Sequence, residues 1–498
     1  MGKSGKIKDN KNDILKVLIV STEVTPFSKS GGLGDVAGSL PKALKAQNVD
    51  VRVVFPKYRT IQKNLLESAR YVDSLMVHLS WREQPASIYE IGEENPVGVP
   101  LYMIENDYYF GRDGYYGHGD DFERFAFFSK VSLEFLPKVD FKPDIIQFND
   151  WQTGVGCTYL RDIYRQFVYY QDMKSIFTIH NLHYQGVFGR EVLWSVGLND
   201  GYFTGGALEF HGNISLLKAG VVHADVVSTV SATYANEIQT GAYGYGMDGL
   251  LRQRGENDGR LFGIVNGIDM ESNNPETDQR ILLNYNSENA IEKKRENKRQ
   301  LQSMIGLPQS DVPMIGIISR LVNQKGFDII SVAMEEIMGR DIQLVVLGTG
   351  EGRYEELFRN YAWRFPHKVS ANITFDDYLA QRIYAASDIF LMPSIYEPCG
   401  LGQMFAMRYG SIPIVRKTGG LADTVQHFDP NTNTGNGFVF EDFVASAMMW
   451  ALNQALDLYY TPHWNHVVQN AMNSDLSWDK SAKEYVELYK WLKDDKGA

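Results

Sequence analysis

Short apolar runs recur along the chain, each closed by glycine, proline or polar residues. They stand at 16–23 (KVLIVSTE), 51–55 (VRVVF), 144–151 (DIIQFNDW), 175–180 (SIFTIH), 226–231 (VVSTVS) and 263–269 (GIVNGID). After a charged stretch at 292–299 (EKKRENKR) the pattern restarts at 314–320 (MIGIISR), 344–350 (LVVLGTG), 373–375, 389–392 (IFLM) and 412–415. Runs without a polar face predict strands buried on both sides, in a parallel sheet covered by helices. Residues 36–45 follow the first run with helical spacing, and near the end Ala482, Tyr485, Val486 and Tyr489 fall at i, i+3, i+4 and i+7. Alternating strands and helices place the chain in the α/β class. The stretch 292–299 reads as a solvated helix face at the crossing between two domains. Residues 60–100 read as irregular strands and loops without recognisable chemistry. The organisation is a flexible tail at 1–13, one α/β domain at 14–285, a second at 286–474 and a final helix at 475–498.

Composition narrows the function by exclusion. A chain of 498 residues exceeds one core, and 44% hydrophobic residues is ordinary for a globular protein. No apolar run approaches the roughly 20 residues of a membrane helix. The charged start, MGKSGKIKDNKND, resembles neither a signal nor a transit peptide. Two cysteines, Cys157 and Cys399, make no disulfide framework or zinc pattern, which suits a reducing cytoplasm. A net charge of −12 disfavours nucleic acid and anionic membrane as partners but does not repel a neutral polymer. Oligomeric state is left open.

The chemistry concentrates at 388–424, DIFLMPSIYEPCGLGQMFAMRYGSIPIVRKTGGLADT. A buried strand ends at a loop carrying Glu397, a helix opens near Gly400 and Leu401, and the next strand runs into Thr418, Gly419 and Gly420. Ligands bind at such C-terminal strand ends in open α/β sheets. The segment KSGGLGD at 29–35 nearly repeats KTGGLAD at 417–423, which predicts one glycine loop per domain. The first loop is not GxGxxG and no acidic residue closes the second strand, so a nicotinamide-dependent dehydrogenase is discounted. Arg320 and Lys325 flank a βα turn, where two fixed cations suit a leaving diphosphate. The aromatic segment 107–128 is more often core than ligand platform.

EPCGL at 397–401, RKTGGLADTV at 416–425, KSGGLGDV at 29–36, TIHNLHYQG at 178–186, NGID at 266–269 and SRLVNQKG at 319–326 resemble the signatures of the bacterial glycogen synthase and plant starch synthase family. The resemblance covers residues 15–492. It implies two Rossmann-like domains facing across a deep cleft that closes about the donor, the GT-B architecture, with the last helix crossing back to the first domain. It implies a retaining transfer of glucose from ADP-glucose to the non-reducing end of an α-1,4-glucan such as glycogen, with no cofactor. No DxD-type metal motif marks these loops and the cations do that work, so no metal is expected. UDP-glucose stays open as the donor. By position in the motifs, Glu397, His180, Arg320, Lys325 and Lys29 would be catalytic. Gly31, Gly32, Asp35, Tyr116, Asp150, Asn181, Asn266, Phe375, Gly400, Leu401, Thr418, Gly419 and Gly420 would bind substrate. Gln147 and Gln152 stand where the family has histidines, and Thr374-Phe375 where it has Gly-Tyr. Three rivals are a glucan hydrolase or phosphorylase, a related transferase with another acceptor, and a silent glucan-binding protein. The first lacks a recognisable carboxylate pair or pyridoxal lysine, and the second would not share 29–35 and 180–186.

Overall fold

A computed structural model describes residues 14–80 and 82–495; the expected tail at 1–13 lies outside the described residues. Among the described residues the chain forms two compact units, one of 14–228, 245–262 and 481–495, the other of 229–244 and 263–480. The first unit is built on a nine-stranded sheet. Its spatial order is Leu261–Gly263, Val226–Thr229, Lys174–Ile179, Ile145–Asn149, Lys16–Val20, Asp50–Pro56, Leu101–Glu105, Arg82–Ile91, Arg70–Leu79. From Lys16–Val20 the chain goes first to Asp50–Pro56 on one side and later to Ile145–Asn149 on the other, all in parallel. The strand order therefore reverses between Lys16–Val20 and Ile145–Asn149, and the crevice beyond their C-terminal ends is where such sheets bind ligands. Lys29, Asp150 and His180 follow three neighbouring strands at that edge.

The second unit repeats the plan with six parallel strands, ordered Val369–Asn372, Gln343–Leu347, Met314–Ile318, Ile389–Met392, Ile412–Arg416, Phe438–Phe440. Its reversal lies between Met314–Ile318 and Ile389–Met392. The loops after those two strands carry Arg320, Lys325 and Glu397. Most residues of these six strands are buried, as their unbroken apolar character predicts.

Several elements differ from expectation. The first strand ends at Val20; beyond it the Ser21 hydroxyl donates to the backbone carbonyl of Glu23 at 2.7 Å and closes a local turn. Residues 60–100 contain a long hairpin, Arg70–Leu79 with Arg82–Ile91, whose register shifts between Tyr71 and Asp73 and whose mixed faces hid it. The run at 263–269 is mostly loop beyond the short strand Leu261–Gly263. The strand expected at 373–375 is instead Val369–Asn372, leaving Phe375 in the following loop.

The largest correction concerns 292–299. It lies in the helix Ala290–Met304, but that helix is no solvated face: Lys294 is 4% exposed and Lys298 1%. The Lys294 ammonium donates to the carbonyls of Tyr384 (3.1 Å), Ala385 (3.0 Å) and Tyr409 (2.9 Å), at the C-terminal ends of two helices. Carbonyls left over at helix ends favour a cation. Burial draws this ammonium down to about 7 while Asp388 opposes the shift. Lys298 pairs with Asp388 at 2.7 Å and donates to Val312 O and the Tyr459 hydroxyl at 3.0 Å.

The final helix, Trp478–Asp494, returns to the first unit's sheet. The Tyr489 hydroxyl donates to Gln147 Oε1, and Gln147 Nε2 donates to Thr178 Oγ1 at 3.0 Å. Lys493 pairs with Asp144 at 2.8 Å and Arg260 with Asp495 at 2.6 Å. Gln147 therefore serves as a buried tie between strand and helix. No helix among the described residues is long and apolar enough to cross a membrane.

Replacing Lys294 by Met is expected to cost about 3 kcal/mol, since buried carbonyls lose their donor. Thermal denaturation against Arg295→Gln, an exposed neighbour expected to change nothing measurable, checks it.

Candidate active site

In the first unit the rim is organised by a residue outside the recognised motifs. Glu23 is buried, and its carboxylate accepts Ser30 N at 2.5 Å, Ser30 Oγ at 2.7 Å, Gly31 N at 3.2 Å and the Tyr116 hydroxyl at 2.6 Å. Burial and Glu23 push the Tyr116 phenol well above its ordinary range, so it stays a donor. The glycine loop is thus folded round an internal carboxylate. Beyond it, a Cβ built on Gly31 or Gly32 would meet nothing within 4 Å, so bare backbone faces open space. Lys29, half-exposed, pairs with Asp35 at 2.7 Å. Burial raises the Asp35 carboxyl, against Lys29.

Asp150 begins the helix Asp150–Thr158 with φ +57, an uncommon conformation for a non-glycine residue. Its Oδ1 accepts His180 N at 2.7 Å, and the backbone of Asn181 also favours its anion. Asn149 donates through Nδ2 to Val20 O at 2.9 Å, which orients its Oδ1 toward His180 Nε2 at 2.9 Å. That oxygen only accepts, so His180 carries its proton on Nε2 and keeps the Nδ1 lone pair. Asn181 Oδ1 accepts His183 N at 3.0 Å.

In the second unit Lys325 Nζ lies 2.6 Å from Glu397 Oε2, which also accepts the Ser394 hydroxyl at 2.9 Å. Arg320 is exposed and has no ion-pair partner among the described residues. The two glycines after Thr418 face their own chain. A Cβ on Gly419, whose φ is +44, would stand 1.9 Å from Glu397 O, and one on Gly420 2.2 Å from Cys399 O. Gly420 N donates to Glu397 O at 3.0 Å. This loop holds Glu397 in place.

Helix Ala232–Glu237 supports the same loops, a contribution that no motif in the chain marks. Ser231 Oγ donates to Pro398 O at 2.6 Å, Thr233 N to Asp423 at 3.0 Å, and Glu237 Oε1 accepts Thr418 Oγ1 at 2.8 Å and Gly419 N at 3.1 Å. The Glu237 carboxylate repeats in the second glycine loop what Glu23 does in the first. Asn266 is buried against Cys399, with its Oδ1 unpartnered. Gly400 (φ +74) and Leu401 lead into the helix Gly402–Arg408. Phe375 is 83% exposed, in the loop after Val369–Asn372.

Two α/β units, each with parallel strands at its strand reversal and cationic and glycine-rich loops beyond them, define a GT-B glycosyltransferase. A model described as the starch synthase catalytic domain matches residues 16–253, and one described as glycosyl transferases group 1 matches 299–473. A glycogen synthase of Clostridium acetobutylicum is 50% identical over 482 residues, covering 95% of this chain and 99% of that one. The catalytic domain of starch synthase IV from Arabidopsis thaliana, bound to ADP and acarbose, matches with TM-score 0.88 and 34% identity over 97% of this chain and 100% of that one. A sucrose-phosphate synthase from Thermosynechococcus elongatus shares the fold at TM-score 0.58 and 18% identity, over 96% and 99% of the two chains. The chain belongs to the glycogen synthase and starch synthase family.

Burial raises Asp150 from 3.8 to about 7 and lowers His180 from 6.5 to about 4. Between about pH 4 and 6.5 the unfolded chain binds a proton that folded His180 does not, so stability rises with pH. From about pH 4 to 7 folded Asp150 keeps a proton the unfolded chain has released, so stability falls. The two slopes offset each other. Asp150→Asn should therefore gain stability relative to wild type as pH rises from 4 to 6.5, checked by thermal midpoints; parallel profiles would contradict it.

Proposed function

We propose that this chain transfers glucose from ADP-glucose to the non-reducing end of an α-1,4-glucan, with retention of configuration, in a reducing cytoplasm. The observation that carries the reading is the convergence of Arg320, Lys325 and Glu397 on the strand reversal of the second unit. Substitution at the anomeric carbon leaves a diphosphate that gains negative charge as an oxocarbenium-like sugar forms. Arg320 is an unengaged guanidinium for that charge, and Lys325 is a second cation beside it in the chain. Glu397 leaves Oε1 to accept the glucose 3-hydroxyl, while Oε2 is held by Lys325 and Ser394. Gly400, Leu401 and Asn266 line the donor's seat, Thr418, Gly419 and Gly420 position Glu397, and Phe375 stacks on the base.

In the first unit Lys29 and the open backbone of Gly31 and Gly32 face the donor's phosphates and sugar, with Asp35 and Tyr116 at the sugar. His180, neutral at working pH, accepts a sugar hydroxyl through Nδ1. Its backbone carbonyl faces the ring where positive charge develops, and Asp150 and Asn181 hold that turn. The acceptor glucan binds the first unit and the donor mainly the second. Cations take the place of a divalent metal at the diphosphate.

Initial rates on glycogen should favour ADP-glucose over UDP-glucose, and equal or faster turnover with UDP-glucose would overturn the donor assignment. Full activity is expected in excess EDTA. Lys325→Gln and Glu397→Gln should each lower kcat by about 10²–10³, roughly 2.7–4 kcal/mol, with smaller changes in KM. Gly419→Ala, which forces a side chain against Glu397 O, should lower kcat in the same direction without touching substrate. Near-normal kcat in the Lys325 and Glu397 variants, with weakened binding alone, would reduce both residues to donor clamps.

A further inference from the structure

At the outer edge of the second unit, a groove of about 530 Å³ lies between the edge strand Phe438–Phe440 and the helix Ala445–Tyr459. It shares no residue with the active-site cluster. Its wall is Trp450, an indole 55% exposed although it belongs to a helix whose other face is core. The His427 ring lies nearly parallel behind it, with centroids 5.5 Å apart and planes inclined by 19°. His427 is itself pinned: Val439 N donates to Nδ1 at 3.1 Å, so Nε2 carries the proton and donates to Gln454 Oε1 at 3.2 Å. One face of the indole is thus backed by a fixed ring and the other is turned outward. The rim carries Lys417, paired with Glu441 at 2.6 Å, and Asp442.

We infer that this groove binds a segment of α-glucan, remote from the chain end that receives glucose. The inference rests on the proposed function, since it takes the same polymer as ligand. The volume falls within the range of about 300–1,000 Å³ typical of small-ligand sites. With two carboxylates against one ammonium the rim carries a net negative charge, which disfavours a phosphate or nucleotide. A glucosyl ring has a flat C–H face and an edge of vicinal hydroxyls. The indole matches the face, the carboxylates of Glu441 and Asp442 accept from the hydroxyls, and Lys417 donates to their lone pairs. An aromatic plate bordered by acceptors fits a neutral polyhydroxyl chain better than an apolar peptide. A long glucan touching this groove and the active site at once meets the second site at high effective concentration, whereas a short oligosaccharide occupies one site at a time.

The experiment compares wild type, Trp450→Ala, Trp450→Phe and Trp363→Ala on glycogen and on maltotriose. Trp363 is 82% exposed and lies outside the groove. Trp450→Ala is expected to raise KM for glycogen about 10-fold, a modest share of what two-site binding provides. Its kcat and its constants for maltotriose should stay at wild-type values, which also reports a correctly folded enzyme. Retardation in glycogen-containing native gels should fall for Trp450→Ala, partly recover in Trp450→Phe, and match wild type in Trp363→Ala. Unchanged glycogen KM and retardation in Trp450→Ala would overturn the site, as would equal losses in Trp363→Ala. A wild-type enzyme that transfers glucose to neither acceptor would instead overturn the proposed function, and gel retardation distinguishes the two failures.

Discussion

Everything at the second rim depends on a backbone contact too close for any side chain. Residues 418–420 lie on residues 397–399, and both the conformation and the distance at Gly419 exclude a Cβ. Glu397 is thereby held by main chain below and by Lys325 and Ser394 at its carboxylate. Such a contact needs polar groups to be matched on both sides, because it excludes water from backbone atoms. Gly420 N meets that need at Glu397 O, and Glu237 meets it at Gly419 N. The placement of Glu397 follows from these backbone pairings together with Lys325 and Ser394 at its carboxylate.

The near-repeat of the two glycine loops has a physical counterpart in their internal anions. Ser30 and Gly31 close on Glu23, and Thr418 and Gly419 close on Glu237. Beyond that shared seat they diverge. The first loop turns its glycines to open space, and the second turns them to its own chain. One sequence pattern therefore serves ligand access in one unit and loop support in the other.

Strands such as Ile389–Met392 and Lys174–Ile179 were legible because burial on both faces leaves an unbroken apolar run. The hairpin Arg70–Leu79 and Arg82–Ile91 was not, since an edge of mixed polarity gives no clear period. Lys294 and Lys298 misled for a different reason. A charge run looks the same whether its ammonium groups meet water or the carbonyl ends of helices, and only tertiary packing decides. Around the candidate site, residues at strand ends could be picked out by position, as with Glu397 and His180. Glu23 and Glu237 could not, because their partners, backbone N–H groups together with the hydroxyls of Ser30, Tyr116 and Thr418, lie 7 to 182 residues away along the chain and only the fold brings them together.

The tie between Tyr489 and Gln147 spans 342 positions of the chain. During synthesis the strand bearing Gln147 leaves the ribosome long before its partner helix exists. At about 5–20 residues per second the interval is on the order of 20–70 s. Through that time the Gln147 amide oxygen and the sheet face beneath the future helix have no native cover. The first unit is thus assembled from segments translated far apart in time, so the covering of that sheet face waits on the elongation of the residues between Gln147 and Tyr489.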